Sequence, residues 1–278
     1  MGLAIGIGNG ILFTNQRGQE ESFLLDEYPN TTGSSYSLRN LTSTTTNVIR
    51  VRRSSDNLES DFTATGITDG TLTTFCAGGQ DGFVTTWYDQ SQSNHLQQIT
   101  ALEQPKIVSI GAVILQNGKP CISFDGSNDS LLIGGLYPSF PNPQSYDLFM
   151  VNQQTSSLYS YGLSASINNS FRWNGLEAFL RGKGADISFL ISVYAQNLFY
   201  IAQNGIIGGI SELYMNGVTK ASGSNGGTFL NRIHLGENGD GSSNGEIKMQ
   251  EFILYVEQSQ ALNKTEIENN INSYYSIY

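Results

Sequence analysis

Short runs of β-branched and aromatic residues recur along this chain, each closed by Gly, Asn, Asp or Ser, and that rhythm leaves few folds open. Val48-Ile49-Arg50-Val51-Arg52 alternates apolar and polar; Gly82-Phe83-Val84-Thr85-Thr86-Trp87-Tyr88 is aromatic and β-branched. Pro105 to Val108, Ala112 to Leu115, Cys121 to Phe124, Leu131 to Ile133, Asp147 to Val151, Ile187 to Ile191, Glu212 to Met215, Arg232 to Gly236 and Gly245 to Tyr255 continue the series. Asn117-Gly118 and Asn216-Gly217 each stand between two such runs, the strongest short-range hairpin signal because both positions accept positive φ. About a dozen short strands predict two packed antiparallel sheets. Charged residues are only 14% of the chain, too few for the polar faces of long amphipathic helices. One helix is predicted at the end: Asn263 to Glu266 has capping-box spacing, and Ile267, Ile271, Tyr274 and Tyr278 recur at helical intervals.

Twenty-four acidic against fourteen basic residues give a formal charge of -10, so the mean field repels phosphate backbones and nucleic acid is not an expected partner. The compact basic cluster Arg50, Arg52 and Arg53 lies on a strand near Asp56 and reads as a solvated or ion-paired face. Cys76 and Cys121 are too few for a disulfide framework and fit no zinc spacing; buried free thiols are the expected state. No run approaches the roughly twenty apolar residues needed to span a bilayer. The apolar stretch Met1 to Phe13 is broken by glycines and lacks a basic leader, so no signal peptide is expected. Gly2 to Thr14 alternates glycine with aliphatic residues, one face of an extended strand that needs a partner. Residues 1–33 therefore read as an arm docking on another subunit, or as an edge strand returning to its own domain, with one domain over residues 34–278.

Tyr36-Ser37-Leu38-Arg39, the run Ile49 to Asn57, and Asp81 to Ser91 resemble a module of phage virion and tail proteins and of the catalytic domain of fungal-type α-L-arabinofuranosidase B. Gly118-Lys119-Pro120 with Phe124-Asp125-Gly126-Ser127-Asn128-Asp129 extends that resemblance, and Leu213 to Val218, Ile233 to Gly236 and Gly245 to Tyr255 look like a laminin-G-like or concanavalin A-like sandwich. The resemblance implies an all-β, two-sheet antiparallel jelly-roll sandwich of concanavalin A type, with an extended N-terminal arm and a short C-terminal helix. It does not carry the enzyme's chemistry across: the arabinofuranosidase family has a vicinal cysteine pair beside a Gly-rich acidic motif, and this chain has neither. A retaining glycosidase needs two facing carboxyl groups; Asp89, Asp125, Asp129, Glu177, Glu212, Glu246 and Glu251 are the candidates, and turn or strand-end roles are their default. No activity is expected.

A binding surface would combine an aromatic face with planar amide and carboxylate groups. Trp87, Tyr88, Asp89, Gln90 and Asn94 offer one such glycan set, although Trp87 alternates with Phe83 and would equally fill the core. Arg172, Trp173 and Asn174 offer a second. Asp125, Asn128 and Asp129 supply calcium-type oxygen ligands, and equally the residues a tight turn prefers. The resemblance implies a phage virion surface protein, a spike, fibre, tail-tip or decoration component. Residues 1–33 would contact other virion proteins and the sandwich a host surface glycan, in a trimer or pentamer. A secreted bacterial carbohydrate-binding protein or glycosidase, extracellular in that case, and a purely structural capsid or tail component are the alternatives.

Overall fold

The computed structural model describes residues 22–133, 145–156, 160–166, 169–174, 176–182, 185–191, 194–206, 208–225, 233–238 and 244–278, with the backbone alone for 160–166 and 169. The Gly2 to Thr14 segment and Arg232 lie outside them. The first strands are β1 (Ser34–Ser37), β2 (Ile49–Arg53), β3 (Glu59–Phe62), β4 (Gly82–Trp87), β5 (Leu96–Gln97), β6 (Lys106–Ser109) and β7 (Ala112–Val113). β8 (Leu115–Gln116), β9 (Lys119–Pro120), β10 (Ile122–Asp125), β11 (Leu131–Ile133), β12 (Tyr146–Gln154), β13 (Ser160–Ser166) and β14 (Asn169–Asn174) follow. The last are β15 (Glu177–Arg181), β16 (Asp186–Leu190), β17 (Gln196–Gln203), β18 (Ser211–Met215), β19 (Val218–Gly223), β20 (His234–Leu235) and β21 (Glu246–Val256). Four α-helices accompany them: α1 (Leu24–Glu27), α2 (Ala64–Thr68), α3 (Thr71–Phe75) and α4 (Lys264–Tyr275).

Every pairing is antiparallel, and the ladder folds into two layers. In one layer β21 lies between β12 and the pair β1 and β10, and β12 continues to β17, β18 and β19. In the other, β3-β2-β4-β5-β11-β20-β13-β14-β15-β16 run in order. β6 pairs with both β4 and β10 and joins the layers along one edge. The result is a jelly-roll β-sandwich. Its core is cross-layer: Tyr36 packs on Trp87 at 5.8 Å between ring centroids, and Phe199 on Phe171 at 5.1 Å.

The layer holding β12, β17 and β21 is buried on both faces, which is why those strands read as unbroken apolar runs. Leu148 and Met150 face the sandwich core, whereas Phe149 and Val151 face a second cluster formed with α4 and α1. That cluster includes Leu24 and Leu25, so residues 22–33 of the segment assigned to the arm lie on this chain's own sandwich. Gly33 crosses so close to β21 that an added Cβ would stand 1.7 Å from the Leu254 carbonyl oxygen. Both Asn-Gly turns form as expected, with positive φ at Asn117, Gly118, Asn216 and Gly217. The terminal helix also forms, on a different stripe: Ile267, Ile271 and Tyr275 are its buried apolar residues, Tyr274 is partly buried and Tyr278 exposed. Asn263 gives no side-chain cap; its amide donates to Gln260 instead.

Two β-bulges set which side chains face outward. Gln250 has no counterpart in β12, where Val151 pairs with Glu251 and Asn152 with Met249. The extra residue switches the parity of β21, so that Ile247 and Met249 point to the core before it and Phe252, Leu254 and Val256 after it. A second shift leaves Thr85 of β4 unmatched between the pairs Arg50 with Thr86 and Val51 with Val84. Val84 and Trp87 therefore both enter the core, and Phe83 turns outward. This corrects the expectation that Phe83 and Trp87 share a face. Cys76 and Cys121 are buried and unpaired, and burial pushes the Cys121 thiol up to about 12. No helix among the described residues is long and apolar enough to cross a membrane.

Candidate functional site

Of the first glycan set, Trp87 is removed from the surface altogether: it is 0% exposed and lies among Tyr36 and its core neighbours. Tyr88, Asp89 and Gln90 do line a polar groove of 380 Å³ with His95 and four threonines, Asn94 standing nearby, but their polar atoms are committed to the fold. The Asp89 carboxylate accepts from the backbone N–H of Ser35, Ser91 and Asn94 and from the Ser91 hydroxyl. Gln90 accepts from the Leu41 N–H and the Thr45 hydroxyl and donates to the Ser37 and Arg39 carbonyls. Tyr88 donates its hydroxyl to Asp61 and meets His95 edge-on at 5.0 Å. These residues staple the loops around β1 and leave little for a sugar hydroxyl. The second set fares likewise. Trp173 is 1% exposed between Phe171 and Phe199, Arg172 pairs with Asp186 at 3.3 Å, and Asn174 stays at the exposed end of β14. For both tryptophans the physical reason is the same: each occupies an inward position of a strand in a two-layer core.

A second groove, of 520 Å³, opens on the outer face where β2, β4, β6 and β10 lie side by side. Phe83 forms its apolar floor with the Arg52 guanidinium 4.6 Å from the ring centroid and the Lys106 ammonium 5.5 Å from it. Cross-strand register builds this row directly: Arg52 stands opposite Phe83, Phe83 opposite Lys106 and Lys106 opposite Ser123. Gln104, Asp125 and Asp129 complete the walls, and Leu102, 83% exposed, stands at the lip. The sequence reading reached Asp125 and Asp129 and missed Phe83, Lys106 and Gln104. Within the basic cluster expected to form a solvated or ion-paired face, Arg50 and Arg53 do pair with Asp61 and Asp56, whereas Arg52 pairs with no carboxylate among the described residues.

The turn from Asp125 to Asp129 is locally satisfied. Asp125 Oδ1 accepts the N–H groups of Ser127 and Asn128 at 2.8 and 3.3 Å, and Asp129 Oδ2 accepts the Asp125 N–H at 2.9 Å. Burial, and then the charge of Asp125, push the Asp129 carboxyl up to about 7. Among the described residues no three His, Cys, Asp or Glu side chains converge on a metal position. The hydrogen bonds of Asp125 and Asp129 serve the turn itself and give the calcium reading of Asp125, Asn128 and Asp129 no support.

The Asp129 shift has a consequence for stability. Its folded pKa lies above the ordinary 3.8, so the native state holds a proton that the unfolded chain releases. That contribution is fully present below about pH 4 and lost as pH rises through about 7. Asp129→Asn is expected to flatten the fall in melting temperature between about pH 4 and pH 7, and to leave the variant more stable than the parent above it. An unchanged slope in thermal melts of the variant would assign the titration to another group.

A jelly-roll β-sandwich with a groove on its outer face is what the geometry defines. Among solved structures of similar fold is an arabinofuranosidase complexed with arabinofuranosyl-alpha-1,2-xylobiose (TM-score 0.64, 16% identity, covering 89% of this chain and 64% of that one). A GH54 α-L-arabinofuranosidase soaked with a cyclic sulfate inhibitor matches over the same shares at a TM-score of 0.61 and 16% identity. The chain spans 64% of the length of these enzymes, and at this identity the likeness is one of fold. No family model matches the chain, and no curated protein matches it by sequence.

Proposed function

We propose that this sandwich is a glycan-binding module and that the Phe83 groove is its site. The observation that carries the reading is an aromatic side chain set outward on a rigid sheet, bracketed by Arg52, Lys106, Gln104 and two carboxyl groups in a groove of 520 Å³. A sugar ring presents an apolar C–H face and a rim of hydroxyls; the first suits Phe83 and the exposed Leu102, the second the planar polar groups around them. The setting we favour is the surface of a phage particle, in a closed trimer or pentamer. Its support is the resemblance carried by Tyr36 to Arg39, Ile49 to Asn57 and Asp81 to Ser91, with the acidic, low-charge composition beside it.

The test is binding of the purified chain to immobilised bacterial surface polysaccharides, with released reducing sugar read in the same wells. Phe83→Ala is expected to weaken binding about tenfold or more, the scale of one lost aromatic contact, while Tyr88→Phe in the other groove leaves it unchanged. A folded Phe83→Ala protein that binds like the parent would remove the site from this groove. A hydrolytic reading has one feature in its favour, the Asp129 carboxyl, pushed up to about 7, beside Asp125 in the same groove. Sugar release that disappears in Asp129→Asn would establish it.

A further inference from the structure

We infer that the ligand of this groove is an acidic glycan, and that Arg52 recognises its carboxylate. The inference rests on the glycan-binding reading and narrows it to a class of sugar. Arg52 is only 9% exposed, yet every acceptor it holds is neutral. Nε donates to Gln104 Oε1 at 2.6 Å, one terminal nitrogen to Asn57 Oδ1 at 2.8 Å and the other to the Ala101 carbonyl at 3.0 Å. A guanidinium carries five N–H groups, so one donor on each terminal nitrogen remains without an acceptor among the described residues.

Burial of a cation without a counter-charge is costly, and burial holds the Arg52 pKa below the usual arginine range, with Glu59 opposing it. The other arginines on this strand differ in that respect. Arg50 takes Asp61 through two nitrogens and Arg53 takes Asp56 in the same way. Arg39 takes Glu251. Arg52 is instead held in place by Gln104, itself 4% exposed and anchored on the Gln98 carbonyl at 2.9 Å. A positioned fork with spare donors, facing a groove and short of an anion, is the arrangement that recognises carboxylate oxygens.

The neighbouring charges allow it. Lys106 faces the groove and is balanced by Asp81 at 2.7 Å, so the pair adds little net field. Glu59 stands opposite Arg52 in the register, exposed and outside ion-pair distance. Asp129, pushed up to about 7, carries only part of its charge near neutrality, and Asp125 Oδ1 is taken up by its own turn. The groove thus offers an anion one fork of donors beside an aromatic floor, within a chain whose overall charge repels anions, so recognition is local rather than steered.

The experiment compares each acidic polysaccharide with its own carboxyl-reduced form on the full chain: polygalacturonate, alginate, hyaluronan and polysialic acid, with heparin as the sulfate arm. At least one acidic polymer is expected to bind about tenfold or more tightly than its reduced form, the scale of one bidentate charge-assisted contact. Arg52→Lys, which keeps the charge and loses the fork, is expected to erase most of that preference while the reduced polymer binds as before. Equal binding of both members of every pair would overturn the acidic-ligand inference and leave the glycan reading standing. Binding confined to heparin and undiminished in its carboxyl-reduced form would replace carboxylate by sulfate, and binding to no polymer in either form would overturn both. The comparison of polymers on the unaltered chain holds even if the Arg52 variant does not fold.

Discussion

Trp87→Ala and Trp173→Ala are each expected to lower stability by about 3–5 kcal/mol, the range for removing a large aromatic from a packed core. Trp87 touches Tyr36 across the two layers, and Trp173 sits in a cluster with Phe171 at 5.0 Å and Phe199 at 5.8 Å. Both side chains are fully enclosed, so alanine leaves a cavity that two facing sheets cannot close. Trp87→Phe should cost less than the alanine change, because the indole N–H donates to no acceptor among the described residues and its removal breaks no hydrogen bond. Urea denaturation gives the comparison. If an alanine variant kept the parent midpoint and lost polysaccharide binding instead, that tryptophan would belong to a site and not to the core.

Glu251→Gln is expected to be of similar size, about 3–5 kcal/mol, for a different reason. Glu251 is 1% exposed and receives Arg39 through two nitrogens at 2.8 and 3.0 Å, the Ser37 hydroxyl at 2.7 Å and the Tyr275 hydroxyl at 3.2 Å. Those groups come from β1, the segment after it and α4, so one carboxylate ties the terminal helix to the sheet. Arg39 also lies 5.0 Å from the Tyr274 ring. Neutralising the acid leaves the guanidinium buried against an amide that cannot balance it. The double variant Arg39→Met with Glu251→Leu is expected to recover much of the loss, since the stranded charge is then gone. Equal destabilisation of the single and double variants in a double-mutant cycle would assign the effect to packing around α4 and not to the ion pair.

How much of this was legible in the chain differs from element to element. The hairpin turn at Asn117-Gly118 could be read because positive φ at two successive residues is a local demand that Asn and Gly meet. The terminal helix could be read from spacing, and only its inward stripe moved, from Tyr274 and Tyr278 to Tyr275. The site was less visible. Its floor, Phe83, sits four residues before Trp87, and strict alternation places the two on one face. The unmatched Thr85 between them reverses that parity, and nothing in the local sequence marks the bulge. Asp89 and Gln90 looked available for a ligand because their partners at Ser35, Ser37, Arg39 and Leu41 come from a distant strand and loop.

By itself the sequence determined about a dozen of the strands, the Asn-Gly hairpins and the two-layer sandwich, since period and turn conformation are properties of a few adjacent residues, while β3, β13, β14, β15, β17 and β19 were not marked by it. The tertiary structure alone decided which side chains meet water and which polar atoms remain unspent. Arg52, Phe83, Lys106 and Ser123 are brought together by register between strands far apart in the chain. Register depends on the whole core closing around its bulges, and no local pattern carries that information.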